Sequence, residues 1–214
     1  MLLAAVEPQL ESVLGDRVTP LRTSVLAILA GAALYGAAVG SNAGVLLQVT
    51  YSALKLPLLL ASSSVLCLPA VLTVTAVFGH ASAGRELARH VLASQAVVAL
   101  ALASLAPVLV LVLLSTSTYQ VVKLASGGCF ALATLAGHAA LLRRTRAARE
   151  SMPAVRAAVR GWSVAYALVG IQLAWLLRPF VGAPGLPTRF LREDAWGNAY
   201  VHLMKTVYQV LGGS

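Results

Sequence analysis

The side chains that could do chemistry in this sequence are four histidines, two cysteines and a scatter of serines. His80 and His90 are expected to share a loop, residues 79–90, with Glu86, and Glu86 and His90 are spaced as one helical turn. A metal centre needs three or four converging ligands, often in HxxxH or HExxH spacing, and neither spacing occurs. Ser62, Ser63, Ser64, Ser115 and Ser117 have no GxSxG turn around them and no His/Asp pair placed to take a proton. In a membrane helix such hydroxyls pack between helices and bond their own backbone. Cys67 and Cys129 both fall inside apolar runs and read as small buried side chains, without CxxC spacing or a disulfide framework. GAALYGAAVG lacks the Lys-Ser/Thr ending of a phosphate loop. Its Gly36-xxx-Gly40, preceded by Ala32, reads instead as a close-packing helix face. These residues assign no catalytic, cofactor-binding or metal position, so the expectation is a protein that is not an enzyme.

The polar and conformationally special residues inside or beside apolar runs are fewer. Gln172 is the most central strong polar group, with a cross-helix hydrogen bond as its simplest use. Pro69 and Pro107 interrupt two apolar runs and are expected to kink them. The stretch QLAWLLRPFVGAPG ends an apolar run on Arg178, with Trp175 one turn back, where an interfacial aromatic belongs. Pro179 disfavours helical backbone at Arg178. Gly182, Pro184, Gly185 and Pro187 then keep the exit irregular. Arg178 is therefore expected as a stop and anchor, a cation at a helix C-terminus being favourable by roughly 0.3–1 kcal/mol. Glu193 and Asp194 are its candidate partners.

These positions need elements to hold them, and composition says which kind. Of 214 residues, 59% are hydrophobic and only 11% charged, with mean hydropathy +0.84. A soluble domain carries about 25% charged residues, so the bilayer must be part of the solvent. The formal net charge is +9, from 16 Lys+Arg against 7 Asp+Glu. In a soluble protein this excess would point to nucleic acid. Here the basic residues lie between apolar runs, where they set topology and touch anionic lipid; no nucleic-acid partner and no cofactor is expected. Before Arg17 the chain carries Glu7, Glu11 and Asp16 and no basic residue, the wrong polarity for a signal peptide.

Crossing about 30 Å of hydrocarbon takes roughly 20 apolar residues. Five stretches qualify, at residues 23–40, 57–79, 91–115, 124–142 and 161–177, and none contains Asp, Glu, Lys or Arg. The expected fold is all-α: a single membrane domain over 1–214, a bundle of about five transmembrane helices plus short amphipathic interfacial helices. One of these is expected over 44–56, leading into the second span, and another in the tail at 195–211. Ten of the sixteen basic residues fall on the side of the N-terminus, six of them being Arg143, Arg144, Arg146, Arg149, Arg156 and Arg160. Cytoplasmic loops collect Lys and Arg, which places the N-terminus inside and the C-terminus outside. The same arginines are the candidate contacts to anionic headgroups or to a partner.

Several short motifs occur in a fixed order. They are Ser52-Ala53-Leu54-Lys55-Leu56-Pro57 opening the second span, Cys67-Leu68-Pro69 within it and Phe78-Gly79 closing it. Leu102-Ala103-Ser104-Leu105-Ala106-Pro107 and residues 115–119 follow. Residues 172–182 come next, with Pro184, Phe190-Leu191-Arg192 and Gly197-Asn198-Ala199-Tyr200 after them. Over about residues 36–200 this order resembles a family of uncharacterised bacterial multi-pass membrane proteins, and the five-span layout is distantly similar to the Yip1 family. The resemblance marks Lys55, Pro57, Pro69, Pro107, Gln172, Trp175, Arg178, Pro179 and Asn198 as the positions of interest. It implies a bacterial inner-membrane protein and no known activity. The leading expectation is a non-enzymatic membrane scaffold, organising or interaction protein, with a membrane-protein partner or a homo-oligomer. The alternative is a transporter or channel for a neutral or lipidic solute passing near Gln172, Pro69 and Pro107, and an intramembrane enzyme comes third.

Overall fold

The structure is a computed structural model and describes residues 20–116, 118–178, 180–182, 188, 190–191 and 201. The tail helix expected over 195–211 therefore lies, Val201 apart, outside the described residues, as do Pro179, Asn198, Glu193 and Asp194.

Among the described residues the fold is all-α, without strands. The helices are α1 (Leu21–Gly40), α2 (Leu46–Val77), α3 (Ala81–Ser115), α4 (Tyr119–Arg144), the short α5 (Arg146–Ser151) and α6 (Pro153–Leu176). All but α5 are long and apolar enough to cross a membrane, as expected of a multi-pass membrane protein. The outer surface agrees: Leu26 on α1, Leu66 on α2, Leu111 on α3, Leu135 on α4 and Val164 on α6 are each at least 60% exposed. So many large aliphatic side chains on the outside suit lipid and not water.

The largest differences from the sequence expectation each lengthen a helix, and α4 too begins five residues before the expected 124. The stretch 44–56 is not a separate interfacial helix. It forms the first turns of α2, which runs unbroken for 32 residues with Pro57 and Pro69 inside. Residues 81–90 are not a loop but the start of the 35-residue α3. The arginine-rich stretch is largely helical too, because α6 already begins at Pro153, a residue suited to the first helical position. At 1.5 Å per residue α2 is about 48 Å long and α3 about 52 Å. Both exceed the hydrocarbon thickness, so their polar ends project beyond it or the helices tilt.

Turns set the order of packing. Ser41–Ala43 forms one tight 3-10 turn, which folds α1 back along α2. At the other end of α2 the helix closes on Gly79, φ 74°. There His80 N–H bonds Thr75 O at 2.8 Å and Gly79 N–H bonds Ala76 O at 2.9 Å, the paired bonds of a Schellman cap. α1 packs on both α2 and α3, α2 also touches α3, α4 lies against α3 and α6 against α2. The face expected at Ala32, Gly36 and Gly40 is a close contact: a Cβ on Gly40 would meet Gln48 O and Val49 Cα, each at 2.8 Å, and one on Gly36 would run into Ser52 O. One apolar core, with Tyr35, Leu60 and Leu102, fills the end holding the α1–α2 turn and the exit of α6. A second, with Val71, Leu141 and Trp162, fills the end holding α5.

Candidate functional site: an exit strap on a polar helix face

Gln48, Ser52 and Lys55 lie at i, i+4 and i+7 of α2, so they share one face. Their exposures are 1%, 0% and 0%. Lys55 is thus not in a separate interfacial helix, as the sequence suggested; it belongs to a spanning helix and is completely buried. It sits nine residues into the helix, about 13 Å along the axis. If α2 were centred on a hydrocarbon layer of about 30 Å, Lys55 would lie a few ångströms below one surface.

The cover over this face comes from the far end of the chain. α6 stops at Leu176, and Arg178 N–H makes a long bond to Trp175 O, 3.4 Å. Residues Phe180–Gly182 then turn back onto α2 as an irregular strap. Its three successive carbonyl oxygens are each received by side chains. Ser52 Oγ donates to Phe180 O at 2.6 Å and Gln48 Nε2 to the same oxygen at 3.2 Å. Tyr119 OH, at the start of α4, donates to Val181 O at 3.3 Å. Asn42 Nδ2, in the α1–α2 turn, donates to Gly182 O at 2.8 Å. Val181 and Gly182 are buried, and irregular backbone removed from water persists only where the protein satisfies it. Gly182 is required by the close approach: a Cβ there would lie 2.5 Å from Ala43 Cβ and 2.7 Å from Gln48 Cγ.

Aromatic rings border the strap. The Lys55 Nζ lies 5.1 Å from the Phe190 ring centroid, and Phe190 meets Tyr51 edge-on at 5.2 Å. Arg178 lies against the Trp175 ring, Cζ 3.3 Å from its centroid, a stacked cation–π contact. The expected stop and anchor is therefore also the hinge at which the chain folds back onto the bundle.

A second polar contact lies deeper. Tyr166 OH on α6 donates to Gln95 Oε1 on α3 at 2.8 Å, and Tyr166 stacks on Trp162 with centroids 4.8 Å apart. Gln172, where the sequence places a cross-helix hydrogen bond, is half-buried. Ser63 and Ser64 bond Leu59 O and Leu60 O on their own helix, at 2.7 Å each. Pro57 is buried, whereas Pro69 and Pro107 are exposed on the outside of the bundle. The two prolines named for a solute path do not line its interior.

The arginines at the α5 end divide by role. Arg149 donates to Leu142 O at 2.9 Å and to Thr145 Oγ1 at 3.2 Å, and Arg156 Nε donates to Arg149 O at 2.9 Å. These two tie α4, α5 and α6 together by capping carbonyls at helix ends. Arg146 makes an exposed pair with Glu150, 3.0 Å. Arg143 and Arg160 are exposed, and Arg144 is half-buried. Glu86 and His90, expected in a loop, lie on α3 with His90 Nε2 3.9 Å from Glu86 Oε1. Among the described residues no three His, Cys, Asp or Glu side chains form a metal-ligating group.

Asn42, Gln48, Ser52, Tyr119 and Gly182 were not singled out from the sequence as site residues. The i, i+4, i+7 spacing of Gln48, Ser52 and Lys55 was visible, but a polar stripe on a short helix also suits an interface, and nothing local names its cover.

No family model, no curated protein and no solved structure matches this chain.

Proposed function

We propose that this chain is a non-enzymatic organising or interaction protein of a bacterial inner membrane, distantly Yip1-like, with its N-terminus in the cytoplasm and its C-terminus outside. One observation carries this reading: among the described residues, cations at the two ends of the bundle are used differently. At the α5 end the side chains of Arg22, Arg85, Arg89, Arg143, Arg146, Arg156 and Arg160 are exposed. At the strap end Lys55 is buried and Arg178 lies on Trp175. Lys123 is exposed there, 5.5 Å over the Tyr119 ring. This asymmetry of accessible charge supports a cytoplasmic α5 end. It also supports contact with anionic headgroups or an acidic partner, each basic residue near the headgroups contributing about 1 kcal/mol.

Crosslinking in intact cells followed by mass spectrometry tests the partner. The expected result is one recurrent membrane-protein partner, or a second copy, crosslinked around residues 143–160 and lost when Arg143, Arg146 and Arg160 are changed to Gln. A parent chain that crosslinks to nothing and purifies as a monomer overturns the reading. Orientation is read from single cysteines and an impermeant maleimide on intact cells. Ser41→Cys should label and Ser151→Cys should not; the reverse pattern overturns the assignment.

A further inference from the structure

Four exposed arginines, one on each of α1, α3, α4 and α6, sit at one level of the bundle. Cross-helix contacts fix the register against α3. A Cβ on Gly31 of α1 would lie 2.5 Å from Ala99 O, and one on Gly137 of α4 would lie 2.8 Å from Ser94 O. Tyr166 of α6 bonds Gln95 at 2.8 Å. Measured from these contacts toward the α5 end, Arg22 lies about 14 Å along α1 and Arg89 about 15 Å along α3. Arg160 and Arg89 each lie about 9 Å from the Tyr166–Gln95 bond. Arg143 lies about 9 Å past Gly137, and Arg89 about 8 Å past Ser94. Packing alone therefore aligns Arg22, Arg89, Arg143 and Arg160 to within about one residue's rise.

The helices α1, α4 and α6 pack on α2 or α3 and little on one another. Cations spread over separate outer helices fit a layer that surrounds the bundle better than one protein face. Among the described residues none of the four is in an ion pair. Every described Lys or Arg at the α5 end is an arginine, while Lys55 and Lys123 are at the strap end. The planar guanidinium fork grips phosphate oxygens through two parallel bonds. Spacing on α4 agrees. Its exposed Lys123 and Arg143 have no Asp, Glu, Lys or Arg between them. They are separated by about 30 Å of helix, the thickness of the hydrocarbon layer.

We propose that Arg22, Arg89, Arg143 and Arg160 form a girdle that binds the phosphates of anionic phospholipid. This rests on the reading of the α5 end as the face for anionic groups, and it assigns these four arginines to lipid. Arg85, about 6 Å past Arg89 along α3, and Arg146, past the end of α4, stand outside the girdle.

Native mass spectrometry of the full chain in detergent, titrated with phosphatidylglycerol or phosphatidylcholine, counts the bound lipids. Phosphatidylglycerol should bind roughly fivefold more tightly at each arginine engaged, the factor for one basic residue at a headgroup. Changing all four arginines to Gln should bring phosphatidylglycerol down to the level of phosphatidylcholine. Arg85→Gln with Arg146→Gln should keep most of the preference. Equal binding of the two lipids by the parent chain overturns the proposal and leaves an acidic protein as the occupant. Equal losses from Arg85→Gln with Arg146→Gln and from Arg89→Gln with Arg143→Gln overturn it too, since charge anywhere at that end would then suffice. Displacement of phosphatidylglycerol by an equal concentration of inorganic phosphate would make the ligand a soluble phosphate, and the lipid assignment falls. The comparison of lipids on the parent chain needs no substitution, so it decides even if the fourfold variant fails to fold. Only purified chain and lipid are present, so this outcome is independent of whether crosslinking in cells finds a partner.

Discussion

The hydroxyl of Ser52 donates to the carbonyl oxygen of Phe180 at 2.6 Å, joining residues 128 positions apart. This bond turns a polar position in the second turn of an apolar helix into a seat for the chain's exit from the bundle. Gly182 lets the strap approach so closely, and its substitution is the sharpest probe of the contact. Gly182→Ala forces a methyl group against Ala43 Cβ and Gln48 Cγ, 2.5 and 2.7 Å away. It should cost about 1–3 kcal/mol, as overpacking does, and lower the thermal midpoint in detergent. A chain unchanged in midpoint would mean that the strap does not seat there.

The glycines of α1 and α4 should respond in opposite directions. A Cβ on Gly36 would lie 2.8 Å from the Ser52 carbonyl carbon and 2.9 Å from Ala53 Cα, both backbone atoms that cannot swing aside. Gly36→Ala should therefore destabilise by about 1–3 kcal/mol. A Cβ on Gly128 meets nothing within 4 Å, so Gly128→Ala should stabilise α4, by up to about 1 kcal/mol. Paired denaturation curves in one detergent check the sign of each.

The Tyr166–Gln95 hydrogen bond, 2.8 Å, links α6 to α3. Cross-helix bonds of this kind average about 0.6 kcal/mol in membrane proteins and reach about 1.7. Tyr166→Phe should fall in that range. Gln95→Leu together with Tyr166→Phe should cost less than the sum of the single changes, since neither partner is then left unpaired. A double-mutant cycle by unfolding in mixed micelles measures the coupling, and strict additivity would show the bond to be energetically idle.

Two neighbouring arginines should separate cleanly. Arg149 donates to Leu142 O and Thr145 Oγ1 and is half-buried. Arg149→Ala should cost about 1–2 kcal/mol, because it removes a cap from the end of α4. Arg146 pairs with Glu150 at an exposed site, where a helical i, i+4 pair contributes about 0.3–0.5 kcal/mol. Arg146→Ala should thus leave the midpoint almost unmoved, while high salt should erase what difference there is. Equal losses at the two positions would contradict this division of roles.

Much of the architecture was legible because its signals are local. The five apolar runs, the Phe78-Gly79 stop and the Gly36/Gly40 face depend on residues a few positions apart, and each is found in the structure. Helix starts were less legible. VLLQVTYSALKL is only mildly apolar and too short to span alone, yet Gln48, Ser52 and Lys55 are all buried and the stretch continues into the span as one helix. Charge in residues 81–90 suggested a loop, while a long helix projecting past the hydrocarbon holds the same residues without cost to the membrane. Tyr166 was less legible than Gln172, because its bond to Gln95 depends on helical phase relative to α3 and not on depth along α6.

Run length, composition and the placement of arginines by themselves determined that lipid is part of this protein's solvent and that five helices are long enough to cross it, because apolar transfer is summed along each segment regardless of its neighbours. Only the tertiary structure decided what the polar residues among those helices are for. Asn42, Ser52 and Tyr119 are unremarkable in their own segments, and they become a site because antiparallel packing brings three helix ends to one place. There the carbonyls of Phe180, Val181 and Gly182, which have no helix to bond them and little water to replace it, take their hydrogen bonds from those side chains.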